Sequence, residues 1–442
     1  MKYFLLVFLV CILYAPTEST FYKSTGYYTP SEPSMLKHIG KSVIRVVKSV
    51  TEEVADVIST VKNDATKNDK EIPADPTILL NIGASAVNII KGVIEKIPEV
   101  IPSAEAFFQY SQNIIMGYPF EKVFQVINSF CSAAMSSEST KPLVTPNIAD
   151  MNYILKVGDR NISVPLNKPQ QLWLLKEFNP RFPLVMVIAG WTSNVNDGGS
   201  PALDVVYAAY RCRGNVNFVT VDTAGLIDTL YTWAAFNTEE IGNVISESLT
   251  YLVKIYPMQK IHLIGLSLGA HIAGSAGRNF YYKTGKRLPR ITALDAANPC
   301  FNSRENVTGI QKSDAEFVLA IHSNNGGLGK KEPYGDVDFY PNGVQPLPPG
   351  CLSISCAHQR AADFYAESVY PGSEHNFMAV KCGSFSSLSE NLCTGREVPM
   401  GYATPHNLEG IFLLQTNAEK PFGKNATQNA WHRCSYRRYL MD

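Results

Sequence analysis

Residues 261–277 read IHLIGLSLGAHIAGSAG. A short apolar run, Ile261 to Ile264, meets Gly265-Leu266-Ser267-Leu268-Gly269, and a stretch rich in alanine and glycine follows. This order predicts a strand, a sharp turn and a helix, with the Ser267 hydroxyl lifted out at the turn. The two glycines fit because neighbouring backbone crowds such a turn, and a residue without Cβ is needed there. Ala270, Ala273, Gly274, Ala276 and Gly277 keep the following helix thin enough to pack close behind the strand. A plain structural Gly-Ser loop is the competing reading. The strand before it and the small-residue helix after it argue against that.

The alternation of strand and helix extends outward from this turn. From about Met151, apolar runs at Leu184–Ala189, Val216–Val221, Ile261–Ile264, Ile291–Leu294 and Glu316–Ile321 predict strands. The stretches Pro201–Arg211, Thr238–Ile255 and Leu268–Tyr282 predict the helices between them. Such alternation predicts a mostly parallel central sheet covered on both faces, an α/β class of fold and, with the serine turn, an α/β-hydrolase. In these sheets, working residues sit at the carboxyl ends of strands. Ser267 obeys that rule.

Residues 21–140 read differently. Ser34–Val61 places Ile44, Val47, Val54, Val57 and Ile58 at helical spacing, and Thr77–Ile97 and Ala104–Cys131 hold further helical pieces. This predicts a helical N-terminal extension. A lipid-binding amphipathic segment is the sharper alternative, though the polar face mixes both charge signs. The expected division is a signal peptide at 1–20, the extension at 21–140, the hydrolase domain at 141–425 and a short basic tail at 426–442.

Lys2 followed by the apolar core Tyr3–Tyr14 and the small, polar Ala15–Thr20 gives the signal its pattern, and predicts a secreted, extracellular protein. The chain of 442 residues carries 39 basic and 39 acidic side chains. Without a cationic excess it carries no electrostatic footprint for nucleic acid. Loss of Cys11 with the signal leaves eight of nine cysteines, an even number suited to an oxidising compartment. Cys351 with Cys356, and Cys382 with Cys393, are spaced to close local loops. Cys131 with Cys212 and Cys300 with Cys434 are further candidates, and the connectivity stays open. No C-x-x-C pair or clustered histidine points to a metal. Asn161, Asn306 and Asn425 head N-x-[ST] sequons, candidate glycosylation sites.

A serine hydroxyl needs a base within hydrogen-bond reach, and the base needs an orienting acid. In α/β-hydrolases these follow in the order Ser, Asp or Glu, His. Asp295 stands at the end of the next strand, in ITALDAANPCF; Asp314, Asp336 and Asp338 are rivals. For the base, His322 and His358 both lie downstream. His322 ends a strand. His358 follows the Cys351–Cys356 loop and begins a helix, and a fixed loop position behind a local disulfide suits a base. His262 and His271 read as packing residues, and His375 and His406 as surface. An oxyanion hole needs two aimed N–H groups. Leu268 supplies one, and Trp191, in the loop after Leu184–Ala189, supplies the second.

At these residues the chain resembles the secreted animal lipase family that includes pancreatic lipase, phospholipases A1 and the yolk proteins of flies. The resemblance runs from about Met151 to Gly423. It is carried by AGWTSN (189–194), IHLIGLSLGAHIAG (261–274), ITALDAANPCF (291–301), SDAEFVLAIHSN (313–324), DVDFYPNG (336–343), CAHQRAADFYAES (356–368) and IFLLQTNAEKPFG (411–423). It implies a triad of Ser267, Asp295 and His358, with Leu268 and Trp191 as oxyanion donors. It implies a lipid ester substrate, phospholipid or acylglycerol, allows a lipid surface as partner, and calls for no cofactor.

Departures from the family are informative. Ala189 stands where the family usually has a histidine before the oxyanion loop. The calcium positions of pancreatic lipase are matched only at Asp314, so no metal is implied. The C-terminal lipid-binding sandwich is missing, so no colipase is expected. The disulfide-closed lid shrinks to Leu352–Ser355 between Cys351 and Cys356, a length that in this family accompanies phospholipase A1 activity. The long extension and the closing PFG segment are shared with the yolk proteins, whose nucleophile turn is generally not intact. A storage or lipid-carrying protein is therefore the alternative to an esterase.

Overall fold

The computed structural model describes residues 148–190, 200–223, 231–301, 307–427 and Cys434. The signal segment, the helical extension, Cys131, Trp191 and Asn306 lie outside the described residues.

Among the described residues, eleven strands form one sheet in the order β10-β9-β11-β8-β7-β6-β5-β3-β4-β1-β2. They are β1 (Asn152–Val157), β2 (Arg160–Pro165), β3 (Leu184–Ile188), β4 (Asn217–Asp222), β5 (Ile261–Leu266), β6 (Arg290–Leu294), β7 (Val318–Ile321), β8 (Val337–Pro341), β9 (Met378–Cys382), β10 (Glu397–Pro399) and β11 (Gly410–Leu414). All neighbours from β4 through β3, β5, β6, β7 and β8 to β11 are parallel. The antiparallel pairs β1–β2 and β9–β10 flank them, β1 against β4 and β9 against β11. The sheet is thus mostly parallel, as the sequence predicts, and it is wider than the five strands read there. The hairpin β1–β2 and the strands β8 to β11 are additions.

Among the described residues, seven helices pack around it: α1 (Pro169–Trp173), α2 (Pro201–Arg213), α3 (Tyr231–Phe236), α4 (Thr238–Leu252), α5 (Leu268–Thr284), α6 (Ile354–Val369) and α7 (Phe385–Ser389). The core has two halves, one on each face of the sheet. Leu184, Met186 and Ile188 of β3 point to the face that α4 and α5 cover. Val185 and Val187 point to the face that α2 and α6 cover. A strand buried on both sides reads as an unbroken apolar run, which is why LVMVI showed no alternation.

The turn between β5 and α5 depends on close approach. A Cβ on Gly265 would lie 2.3 Å from the Gly269 carbonyl oxygen, and one on Gly269 would lie 2.1 Å from that of Ile188. Either would force the helix away from the sheet.

Three disulfides are recorded among the described residues: Cys351–Cys356, Cys382–Cys393 and Cys212–Cys434. The last corrects the sequence reading, which gave Cys131 to Cys212 and Cys434 to Cys300. Cys212 lies on α2, which the tail reaches from 222 residues away in sequence. Spacing carries no signal for a pairing that only the tertiary fold creates.

Candidate active site

Ser267 caps the N-terminus of α5 with φ 58° and ψ −124°, a conformation that residues with a Cβ seldom adopt. Its amide donates to the Leu294 carbonyl at 3.0 Å, which ties the turn to the end of β6 one residue before Asp295. Only 7 % of Ser267 is exposed. The N-terminal turn of α5 places unbonded amides and the positive end of the helix dipole beside the hydroxyl.

Asp295 follows β6 and is fully buried. Its amide donates to the Ile321 carbonyl at 2.8 Å. Oδ1 accepts the amides of Ser323 (2.8 Å) and Asn324 (3.0 Å), and Oδ2 meets His358 Nδ1 at 2.5 Å. A carboxylate with this many donors is held in one orientation. Nδ1 pointing at it assigns the proton there and leaves Nε2 with the lone pair.

His358 lies on a helix, as the sequence predicts, but in its second turn and not at its start. The helix starts at Ile354, capped by Ser353 Oγ, which accepts the Cys356 amide at 3.1 Å. The Cys351–Cys356 disulfide therefore closes over the first turn of the helix that carries His358. Most of the short lid segment is helix start: Ile354 is buried, and Leu352 stands 88 % exposed. The rigidity expected from a tethered loop comes from the helix itself, whose Ala361 amide is bonded to Ser323 Oγ.

The rival residues are engaged elsewhere. His322 is fully buried, with Nε2 on Asp338 Oδ1 (2.8 Å), Nδ1 on the Lys330 carbonyl (2.9 Å) and its ring stacked on Tyr340. Asp338 also accepts the amides of Tyr334 and Gly335. Asp336 accepts the Val318 amide where β7 begins, at the amino edge of the sheet and away from Ser267. Asp314 is ion-paired to Arg278 at 2.8 Å, and burial still raises its carboxyl to about 6. His271 bonds the Ala297 carbonyl and the Ile310 amide, and burial pushes its ring down to about 3, so it is neutral. His262 is half-buried and bonds Thr292 Oγ1, and desolvation with the nearby Arg290 charge holds its ring well below the usual histidine range. His375 and His406 are exposed.

Leu268 is the first residue of α5 and is buried. Trp191 lies outside the described residues, but its loop starts against the serine: a Cβ on Gly190 would lie 2.5 Å from Ser267 Cβ and 3.2 Å from its Oγ. Asn161 on β2 and Asn425 are both exposed.

One supporting residue escaped the sequence reading. Gly329, in the NNGGLG run between β7 and β8, packs its α-carbon directly against the Asp295 carboxylate. A glycine-rich loop gives no local sign of which glycine is in contact with what.

The Lipase family profile matches residues 166–422, more than half the chain. Vitellogenin-1 of Ceratitis capitata is 38% identical over 212 residues, covering 48% of this chain and 48% of that protein. Vitellogenin-3 of Drosophila melanogaster is 36% identical, covering 49% and 52%. Hepatic triacylglycerol lipase of Homo sapiens is 33% identical over 279 residues, covering 55% of each. The chain thus spans about half the length of these relatives.

Proposed function

Starting from a chain that belongs to the Lipase family, we propose a secreted carboxylic ester hydrolase that acts on lipid through an acyl-enzyme on Ser267. The observation that carries this reading is the 2.5 Å contact from the buried Asp295 carboxylate to His358, on the sheet edge where Ser267 is turned out. A merely structural Ser turn has no need of a buried, oriented imidazole.

In this reading Nε2 of His358 takes the Ser267 proton as Oγ attacks the ester carbonyl. The Leu268 and Trp191 amides receive the oxyanion, and the α5 dipole favours it. Asp295 keeps the imidazole in the required tautomer and stabilises the imidazolium. The proton then passes to the leaving alcohol. Water, deprotonated by the same imidazole, releases the fatty acid. The lid segment is too short to cover a broad apolar site, and this supports phospholipid, cleaved in a phospholipase A1 manner, over triglyceride.

The vitellogenin relatives favour a second reading, a storage or lipid-carrying protein with little or no catalysis. Product analysis of wild type and Ser267→Ala on phosphatidylcholine and triolein separates the two. The hydrolase reading expects Ser267-dependent release of fatty acid, faster from phosphatidylcholine. No release from either lipid by folded wild-type protein, with no fluorophosphonate labelling of Ser267, would overturn it.

A further inference from the structure

Asp295 and His358 stand on separate elements, the first after β6 and the second on α6, and one further residue bonds to both elements. Ser323 follows β7 and is buried. Its amide donates to Asp295 Oδ1 at 2.8 Å, while its Oγ accepts the Ala361 amide, one helical turn beyond His358, at 3.1 Å. The other oxygen of the same carboxylate, Oδ2, meets His358 Nδ1. We propose that Ser323 is a positioning residue, a clamp whose backbone fixes the acid and whose hydroxyl fixes the helix of the base, so that it sets the separation of Asp295 and His358. Its effect on rate rests on the hydrolase reading, but the separation can be measured whether or not Ser267 reacts.

The contacts form a closed ring: Ser323 to Oδ1, Oδ2 to His358, one turn of α6, and Ala361 back to Ser323. Apolar packing of α6 against its face of the core is non-directional and leaves the position of the helix along its own axis weakly specified. A hydrogen bond is directional and specifies it. The Ser323 hydroxyl supplies that bond beside the turn that carries the base.

Ser323 can act as a reference point because both its neighbours are locked. His322 donates its amide to the Phe339 carbonyl at 2.9 Å, and its ring bonds Asp338 and the Lys330 carbonyl. Asn324 donates its amide to the same Asp295 Oδ1 at 3.0 Å. Its side chain accepts the Leu328 amide at 2.6 Å and donates to the Pro346 carbonyl at 2.5 Å. Its own carbonyl accepts the amides of Gly327 and Gly329. His322 and Asn324 are both fully buried. Any residue at 323 could offer the amide to Asp295. Only a side chain with a short acceptor can also take the Ala361 amide, and a hydroxyl is one.

Ser323→Ala keeps the amide on Asp295 and removes only the link to α6, so it isolates the clamp. On monodisperse short-chain phosphatidylcholine, kcat per folded protein should fall by about 10²-fold with KM within about twofold, as for a base displaced near the reacting atoms. Ser323→Thr keeps the hydroxyl and should recover most of the loss. The proton between His358 Nδ1 and Asp295 provides a readout that needs no catalysis. It should give a low-field magnetic resonance in wild type, absent from His358→Gln, that moves upfield in Ser323→Ala and stays in place in Ser323→Thr. Ser368→Ala is the control for general loss of stability, since Ser368 Oγ accepts the Tyr402 amide near the far end of α6. It should leave kcat and the resonance as in wild type. An unmoved resonance in Ser323→Ala overturns the clamp. So does an unchanged kcat in an active protein, or an equal fall in Ser368→Ala. If wild type hydrolyses no ester, the hydrolase reading fails alone and the resonance decides the clamp. Should Ser323→Ala not fold, Ser323→Cys, whose sulfur is a weak acceptor, is read in the same way.

Discussion

Gly329 lies against the carboxylate of Asp295: a Cβ at position 329 would sit 2.4 Å from Oδ1 and 2.5 Å from Oδ2. The glycine backbone is pinned by its bridges to Ala297 and Asn325, so the carboxylate is the part that must yield. Gly329→Ala is expected to swing Asp295 off His358. Loss of alignment near 1 Å costs about 10²-fold in rate, and overpacking costs about 1–3 kcal/mol in stability. Ester hydrolysis measured beside urea unfolding checks both. Unchanged hydrolysis in a folded Gly329→Ala protein would show that Asp295 need not be held there.

Ser267 sits on a strained backbone at the start of α5. At φ 58° and ψ −124° a Cβ is unfavourable, and a conformation of this kind costs on the order of 1–3 kcal/mol. Ser267→Ala and Ser267→Gly should both abolish hydrolysis, by roughly 10⁴-fold or more. They should differ in stability, with Ser267→Gly the more stable by about 1 kcal/mol once the greater chain entropy of unfolded glycine is allowed for. Denaturant midpoints of the two inactive variants measure the difference. Equal midpoints would mean that the turn stores no strain.

How much of this could be read without coordinates depends on where the signal lies. The Ser267 turn is legible because its causes are local: Gly265 and Gly269 stand beside the serine they accommodate. Asp295 is legible because β6 is a buried parallel strand and ends visibly. Strand β11, GIFLL, was read only as part of a resemblance, since five apolar residues fit a helix or a strand equally. The helix that carries His358 starts at Ile354, four residues before the sequence places its start, because Ser353, the cap, sits inside a disulfide loop that reads as irregular. His322 stayed open as a base because Asp338 and the Lys330 carbonyl, which occupy both its nitrogens, meet it only through the β7–β8 pairing. The Cys212–Cys434 bond had no local sign at all.

Acid should destabilise the domain through His271. Its folded value lies near 3 because burial disfavours the charged ring, against about 6.5 in the unfolded chain. Below 6.5 the unfolded chain takes up the proton and the native state does not, so stability is lost as pH falls from 6.5 towards 3. His262, also lowered by burial, acts in the same direction. Asp314, raised to about 6, opposes them, because its native form binds a proton between about 6 and 3.8. The histidines outweigh it, and the expected net loss is on the order of a few kcal/mol. Unfolding free energy should fall with acid in wild type and fall less steeply in His271→Asn. Parallel pH profiles for the two proteins would remove His271 as the cause.

The closing PFG segment is held by one carboxylate. Glu367 is fully buried on α6, nine residues beyond His358. Its Oε1 accepts Asn376 Nδ2 and the Gly423 amide, both at 2.9 Å, and its Oε2 accepts the Phe422 amide at 2.7 Å. Glu367→Ala leaves three buried donors without an acceptor, each worth about 1–3 kcal/mol, so a loss of about 3 kcal/mol or more is expected. Glu367→Gln keeps one acceptor oxygen and puts an amide donor against the others, so it should fall between the two. Because the same helix carries His358, hydrolysis by Glu367→Ala should decline together with the fraction folded, and return when the protein is stabilised by cooling from its midpoint. A Glu367→Ala protein as stable as wild type would show that the PFG segment is held by its Phe422 packing and not by the carboxylate.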